Sequence, residues 1–120
     1  MDDLDIFNPR RPTAKRPLLG MTVLAVEDSR YTCEALRLMC LRSGARIRRA
    51  DSLAAAARHL KVYRPSAVII DIGLPDGTGE DLIRDLADAQ PRVGVLLGMS
   101  GDDTKKAVAM DAGAGGFIAN

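Results

Sequence analysis

Residues 66–79 read SAVIIDIGLPDGTG, an apolar run that ends in a carboxylate and continues into a loop rich in glycine and proline. The run 67–70 contains three β-branched residues, which is typical of a strand buried on both faces of a parallel sheet. Asp71 then lies at the carboxyl end of this strand, where open α/β sheets bind their ligands. Asp71 is therefore the first candidate for a functional residue.

The segments around this strand predict four more strands and four helices. An apolar run at 21–26 also ends in acid, at Glu27 and Asp28. The other predicted strands are 46–49, 93–99 and 116–119. Four helices are predicted: one that follows Ser29 and ends at Gly44, one from Ser52 to about Val62, one around the helically spaced apolar residues at 82–87, and one from 102 to 111.

Strands and helices thus alternate along the whole folded part of the chain. This alternation with short connections predicts a parallel sheet with right-handed crossovers and helices on both faces. We expect an α/β doubly wound five-stranded sheet in the flavodoxin-like order 2-1-3-4-5. Strands one and three are neighbours in this order, so Glu27, Asp28 and Asp71 are expected to converge in one crevice.

Composition limits the class of protein. A chain of 120 residues with 47% apolar residues fits one globular domain, and a net charge of +1 gives no reason to expect nucleic acid or membrane binding. Cys33 and Cys40 are about 10 Å apart on a helix, too far for a disulfide, and reduced core cysteines suit a cytoplasmic protein. His59 is the only histidine, which gives a zinc cluster or a Ser-His-Asp triad little to build on, and we set these two classes aside.

The first twenty residues differ in character from the rest. Residues 1–20 contain three prolines and four basic residues between positions 9 and 17, which predicts a flexible N-terminal leader. It is either a solvated tail or an arm that binds an acidic partner. Residues 21–120 form the predicted domain.

Three convergent carboxylates raise one another's pKa unless a cation lies among them. Hard oxygen ligands of this kind suit Mg²⁺, and a carboxylate beside Mg²⁺ can act as a nucleophile and form an aspartyl phosphate. Asp71 is the best placed of the three for that reaction. The alternative is that these acids only cap a helix or end a strand. Ser100, after the fourth strand, either contacts a phosphoryl oxygen on Asp71 or caps the next helix.

These features together resemble the receiver domain of two-component response regulators, over residues 21–120. The resemblance is carried by Glu27-Asp28, by Asp71 with its Gly-Leu-Pro-Asp-Gly loop, by Ser100-Gly101, by the turn at 111–114 and by Phe117. It implies that Asp71 accepts a phosphoryl group from a histidine kinase or a phosphotransfer protein.

The resemblance also implies roles for the other site residues. Glu27, Asp28 and Asp71, with the carbonyl oxygen of Gly73, would hold Mg²⁺. Ser100 would be the switch hydroxyl and Phe117 the switch aromatic, through which the surface of the fourth helix and fifth strand controls an output domain or partner protein. The chain would be a signalling module and not an enzyme.

Two departures from the family stand out. The family has a lysine where this chain has Asn120, so a positive partner of the phosphoryl group is missing and a weaker response is expected. The family's fifth helix is also missing, which predicts exposed apolar surface under strands three to five. Either a longer protein continues past residue 120, or a second copy covers this surface in a homodimer.

Two other functions stay open. The missing lysine favours a pseudo-receiver, a protein-binding module of receiver fold that does not depend on phosphate, although the three intact acids oppose it. An aspartate-based phosphatase of the haloacid dehalogenase type is the other alternative. That family needs a second acid two residues after the nucleophile, where this chain has Gly73.

Overall fold

A computed structural model of the protein describes residues 16–119. Its elements in chain order are β1 Thr22–Val26, α1 Arg30–Ser43, β2 Arg46–Ala50, α2 Leu53–Val62, β3 Ala67–Asp71, β4 Gly73–Leu74, β5 Gly77–Thr78, α3 Gly79–Asp88, β6 Val95–Ser100, α4 Lys105–Ala112 and β7 Gly116–Ala119. Within these residues, no helix is both long enough and apolar enough to span a bilayer.

The main sheet has five parallel strands in the order β2-β1-β3-β6-β7. This is the predicted flavodoxin-like order, with β6 and β7 as its fourth and fifth strands, and four helices flank it in the described part of the chain. The prediction of fold class is confirmed. Because β1 pairs directly with β3, the acids that follow these two strands lie at the same edge of the sheet.

Helix ends follow the residues that the sequence offers for capping. The hydroxyl of Ser29 accepts a hydrogen bond from Thr32 N–H, and the hydroxyl of Ser52 accepts one from Ala55 N–H. Gly44 and Gly113 end α1 and α4 with φ of 90° and 117°, a left-handed conformation that glycine adopts without strain.

Several predicted boundaries differ from the structure, among them those of α4 and of the fourth strand. The carboxylate of Asp102 accepts hydrogen bonds from the backbone N–H and the hydroxyl of Thr104, which forms a turn, so α4 begins at Lys105 and not at residue 102. The fourth strand begins at Val95 and ends at Ser100, whereas the sequence predicts 93–99. The short antiparallel ladder β4–β5 was not predicted.

Apolar side chains form one core layer on each face of the sheet. The layer under α2, α3 and α4 contains Leu24, Val26, Val68, Ile70, Ile83 and Leu96, and Phe117 packs against it. The layer under α1 contains Val23, Ala25, Leu36, Cys40, Ile69 and Met99. Cys33 and Cys40 are buried and free, as predicted.

The α1 face of the sheet is less covered towards β6 and β7. Leu97 and Ile118 are only half-buried there, and Val95 is 37% exposed, whereas Ile69 and Met99 are buried. The predicted exposure of apolar surface under strands three to five is therefore found at β6 and β7, and not at β3.

The last part of the predicted leader contacts helix α1. Leu18 N–H donates to the carbonyl oxygen of Ser43 at 2.8 Å, and the Leu18 side chain packs against the core layer under α1. Residues 16–20 thus lie against the domain, while residues 1–15 lie outside the described part of the chain.

Candidate functional site

Three acidic side chains meet at the carboxyl edge of the sheet. Glu27 and Asp28 follow β1, and Asp71 ends β3, the neighbouring strand. One carboxylate oxygen from each residue can be chosen so that all three lie within 4.8 Å of one another. The convergence predicted from the strand order is therefore present in the structure.

Glu27 is the most buried member of this carboxylate cluster, which we define as Glu27, Asp28 and Asp71. It is 2% exposed, and its Oε1 accepts a hydrogen bond of 2.8 Å from Ser29 N–H, while its Oε2 is buried and has no hydrogen-bond donor among residues 16–119. Burial raises the pKa of Glu27 from 4.5 to about 7, and the negative charge of Asp71 adds to the rise. Burying a carboxylate oxygen without a hydrogen-bond donor costs free energy, because its hydrogen bonds to water are lost and not replaced.

Asp71 is half-buried beside Glu27. Burial raises the pKa of its carboxyl group, against the effect of Gly73 N–H, which donates to its Oδ1 at 3.1 Å. Two carboxylates this close are stable together only when a proton or a cation lies between them. The cluster therefore fits a hard divalent cation, because it offers oxygen ligands from three residues.

Two glycines that follow Asp71, Gly73 and Gly79, have different surroundings. A Cβ at Gly73 would meet nothing within 4 Å, so the loop directly after Asp71 faces open space at this position. A Cβ at Gly79 would overlap the carbonyl oxygen of Asp71 and lie 2.7 Å from Cγ2 of Ile70. Helix α3 can therefore begin this close to β3 only with glycine at position 79.

Ser100 lies at the same edge as the carboxylate cluster. It ends β6 one residue after Met99, the register partner of Asp71. Its hydroxyl oxygen accepts a hydrogen bond of 3.0 Å from Asp102 N–H, so it closes a turn and does not cap α4, whose N-cap is Thr104. The alternative that Ser100 caps the next helix is wrong for this reason.

Phe117 lies away from the carboxylate cluster, on the face of the sheet covered by α4. Its register partner is Gly98, where a Cβ would lie 3.4 Å from Cδ1 of Phe117 and 2.6 Å from Cβ of Ala109. Phe117 is half-buried, so its ring is at the boundary between core and solvent beside α4. Asn120, the remaining predicted site residue, lies outside the described residues.

Two residues near the cluster were not predicted. The Arg49 guanidinium donates to the carbonyl oxygens of Glu27 and Asp28, at 3.2 and 2.7 Å, and so fixes the backbone that carries both acids. The carboxylate of Asp76 accepts hydrogen bonds from the backbone N–H groups of Leu53 and Ala54. The two Arg49 hydrogen bonds go to backbone carbonyl oxygens, which leave no sequence signal. The acid in a Pro-Asp-Gly turn is a weak signal for a helix cap elsewhere.

Comparison with known proteins agrees with the fold and with the site geometry. The family model described as the response regulator receiver domain matches residues 23–119. The KDP operon transcriptional regulatory protein KdpE of Escherichia coli K12 is 32% identical over 96 residues, which cover 80% of this chain and 43% of KdpE. The chain thus spans less than half the length of the curated relatives it matches.

Solved structures share the fold. A response regulator from Chloroflexus aurantiacus superposes with a TM-score of 0.77 at 28% identity, over 83% of this chain and 84% of the other. A response regulator protein from Burkholderia pseudomallei, solved with a phosphorylated aspartic acid, calcium ion and citrate, gives 0.73 at 22% identity, over 83% and 59% of the two chains. This chain therefore belongs to the response regulator receiver domain family, a family of two-component signalling domains.

Proposed function

We propose that this chain accepts a phosphoryl group on the carboxylate of Asp71 and that Mg²⁺ is required for the transfer. The observation that carries the proposal is the carboxylate cluster, in which one oxygen from each of the three residues lies within 4.8 Å of the other two. The side chains of Glu27, Asp28 and Asp71 would hold the ion, with the carbonyl oxygen of Gly73 as a further ligand. The phosphorylated aspartate of the Burkholderia relative supports the same chemistry.

The donor would be a phosphohistidine of a sensor histidine kinase or of a phosphotransfer protein. A carboxylate oxygen of Asp71 forms a bond to phosphorus while the bond between phosphorus and the imidazole nitrogen breaks, and the electron pair of that bond returns to the imidazole. When bound, Mg²⁺ supplies charge neutralisation for the carboxylates and for the phosphoryl oxygens. Gly73 N–H, which donates to Oδ1 of Asp71, orients the attacking carboxylate.

The response to phosphorylation would run through Ser100 and Phe117. The Ser100 oxygen accepts from Asp102 N–H, which leaves its hydroxyl hydrogen available to a phosphoryl oxygen. Phe117 is half-buried beside α4, so a change in the loop after Ser100 would alter how far its ring is buried. The surface of α4 and β7 would then control an output domain or a partner protein, in the cytoplasm and without direct nucleic acid or membrane contact by these residues.

A second candidate is a pseudo-receiver that binds a partner without phosphate, since Asn120 stands where the family has lysine. The carboxylate cluster opposes it, because three acids that offer oxygens within 4.8 Å of one another suit a divalent cation. The haloacid dehalogenase alternative lacks its second acid: Gly73 occupies that position and is exposed.

Intact-mass spectrometry after incubation with acetyl phosphate tests the proposal. We expect one phosphoryl adduct in the presence of Mg²⁺, and none with EDTA or in Asp71→Asn, whose fold is checked by circular dichroism. An adduct that persists in Asp71→Asn would place the acceptor elsewhere. A folded wild-type protein that forms no adduct with Mg²⁺ would favour the pseudo-receiver.

A further inference from the structure

We infer that Asp76 is a positioning residue that holds the loop 73–78 against the first turn of α2, and thereby couples cation binding at the carboxylate cluster to that helix. The loop carries Gly73, a proposed ligand of the ion, and the part of the inference that concerns the ion rests on the proposed function. The part that concerns the loop and α2 stands on contacts in the protein alone.

The first observation is the pair of hydrogen bonds that Asp76 accepts. Its Oδ1 lies 2.8 Å from the nitrogen of Leu53 and its Oδ2 lies 3.0 Å from the nitrogen of Ala54. These are the first two residues of α2, whose N–H groups have no partners within the helix. Both carboxylate oxygens are thus used by a helix that lies more than twenty residues earlier in the chain.

The charge of Asp76 suits this contact. The hydrogen bonds from Leu53 and Ala54 lower the pKa of the Asp76 carboxyl group, so it accepts them as a carboxylate at neutral pH. A negative charge at the N-terminus of a helix also interacts favourably with the helix dipole. The contact between loop and helix is therefore charge-assisted at both N–H groups.

The second observation is the packing of Gly77 on the same helix. Gly77 has φ of 153°, and a Cβ there would lie 2.8 Å from Cδ1 of Leu53. The backbone of the loop therefore lies directly against the first side chain of α2. Asp76 and Gly77 contact the helix side by side, through hydrogen bonds and through packing.

The third observation connects these contacts to Asp71. The ladder β4–β5 pairs Gly73 with Thr78 and Leu74 with Gly77, so the loop is one hydrogen-bonded unit. Asp76 lies in the turn of this unit, and Gly73 lies at its other end, where its N–H donates to Oδ1 of Asp71. A continuous series of contacts thus runs from the first turn of α2 through Asp76 and Gly73 to the proposed phosphoacceptor.

Ser52→Ala provides a matched control for Asp76→Ala. The Ser52 hydroxyl caps the same turn of α2 by accepting from Ala55 N–H at 3.1 Å. Among the described residues it has no hydrogen bond to the loop, so its loss weakens the helix end without releasing residues 73–78. Both variants remove one side-chain cap of α2, and only Asp76→Ala breaks the link to the loop.

The experiment measures the Mg²⁺ dissociation constant by NMR titration, and amide hydrogen exchange of the loop and of α2 in the same samples. In Asp76→Ala we expect the dissociation constant to rise about tenfold, as for other residues that orient metal ligands. We also expect exchange at Gly77 and Thr78 to accelerate without metal, and the Leu53 and Ala54 amides to lose any protection that Mg²⁺ adds in the wild type. Ser52→Ala should keep the wild-type dissociation constant and loop exchange.

Two results would overturn the inference: a wild-type Mg²⁺ affinity in Asp76→Ala, or an equal loss in Ser52→Ala. If the wild-type protein itself binds no Mg²⁺, the proposed function fails, and metal-free exchange at Gly77 and Thr78 still decides the loop contact. Unchanged exchange there in Asp76→Ala would show that Asp76 does not hold the loop.

Discussion

Gly79, the first residue of α3, lies against the backbone of Asp71 with no space for a side chain between them. Its N–H donates to the carbonyl oxygen of Ile72 at 2.9 Å, so the chain turns back on the end of β3 within seven residues. The proposed phosphoacceptor is thus held by the start of the helix that follows it, as well as by its own strand.

The first prediction concerns this contact. Gly79→Ala places a methyl group on the Asp71 carbonyl oxygen and should lower the free energy of unfolding by at least about 2 kcal/mol, measured by urea denaturation. Gly73→Ala is the matched control, because a Cβ there meets nothing within 4 Å, and should change stability by less than about 0.5 kcal/mol. Equal effects of the two substitutions would contradict the packing described for Gly79.

The second prediction concerns the pH dependence of stability without metal. The pKa of Glu27 is about 7 in the folded protein and 4.5 ordinarily, so between these values the folded state binds more protons than the unfolded chain. The contribution of this group to the free energy of unfolding therefore falls by about 3 kcal/mol in total as the pH rises from about 4.5 to 7.

Urea denaturation in EDTA at pH 5 and pH 8 measures this loss. Glu27→Gln cannot titrate at this position, so the difference between wild type and variant reports the titration of Glu27 together with its effect on Asp71. The same pH dependence in both proteins would show that Glu27 ionises normally.

The third prediction concerns proton release on metal binding. A Glu27 side chain that carries a proton must lose it before it can bind Mg²⁺. Below pH 7 we expect the Mg²⁺ dissociation constant to rise about tenfold per pH unit, and above pH 8 to level off. Calorimetry at pH 6 in two buffers of different ionisation enthalpy should give close to one proton released per ion, and a value near zero would refute this prediction.

The fourth prediction concerns the contact between β6 and α4. A Cβ at Gly98 would lie 2.6 Å from Cβ of Ala109, so Gly98→Ala should destabilise the protein by about 2 kcal/mol. Ala109→Gly should cost about 1 kcal/mol because glycine is a poor helix former. In the double variant, Ala109→Gly removes the methyl group that the new methyl group at position 98 would contact. The double variant should therefore lose less stability than the sum of the two single losses. Strict additivity in this double-mutant cycle would argue against the close contact.

The fifth prediction concerns Asn120. Asn120→Lys introduces a lysine where the resemblance to receiver domains predicts one, and we expect more phosphoryl adduct after a fixed time with acetyl phosphate and an increase in any phosphorylation-dependent dimerisation. Intact mass and size-exclusion chromatography measure the two effects. If neither changes, the missing lysine does not limit this receiver.

The strand order and the meeting of the three acids could be predicted from the sequence, because alternating strands and helices leave few possible topologies. Once β1 and β3 are neighbours, Glu27, Asp28 and Asp71 must share one edge of the sheet. The burial of each acid could not be predicted in the same way. Only the structure distinguishes Glu27, which is buried with an unpartnered oxygen, from Asp28, which is exposed.

The unpredicted features depend on contacts between distant parts of the chain. The β4–β5 ladder has only two residue pairs, too few to produce the alternating pattern by which a strand is identified. Asp76 caps a helix from which it is separated by β3 and a loop. Helix α4 begins later than the sequence predicts because the Asp102 side chain accepts a hydrogen bond from the backbone N–H of Thr104. The spacing of apolar residues gives no sign of such local bonds between a side chain and the backbone.

The sheet described here has two edges of very different charge. At one edge, β2 carries Arg46, Arg48 and Arg49, whereas β7 at the other edge, Gly116–Ala119, carries no charged residue. Pairing of β2 with β2 of a second copy would bring Arg46 and Arg48 of each copy close together on one face of the joined sheet, which like-charge repulsion opposes. Charge repulsion therefore disfavours the addition of a strand from an identical chain at β2. It does not oppose such an addition at β7, the other edge of this sheet.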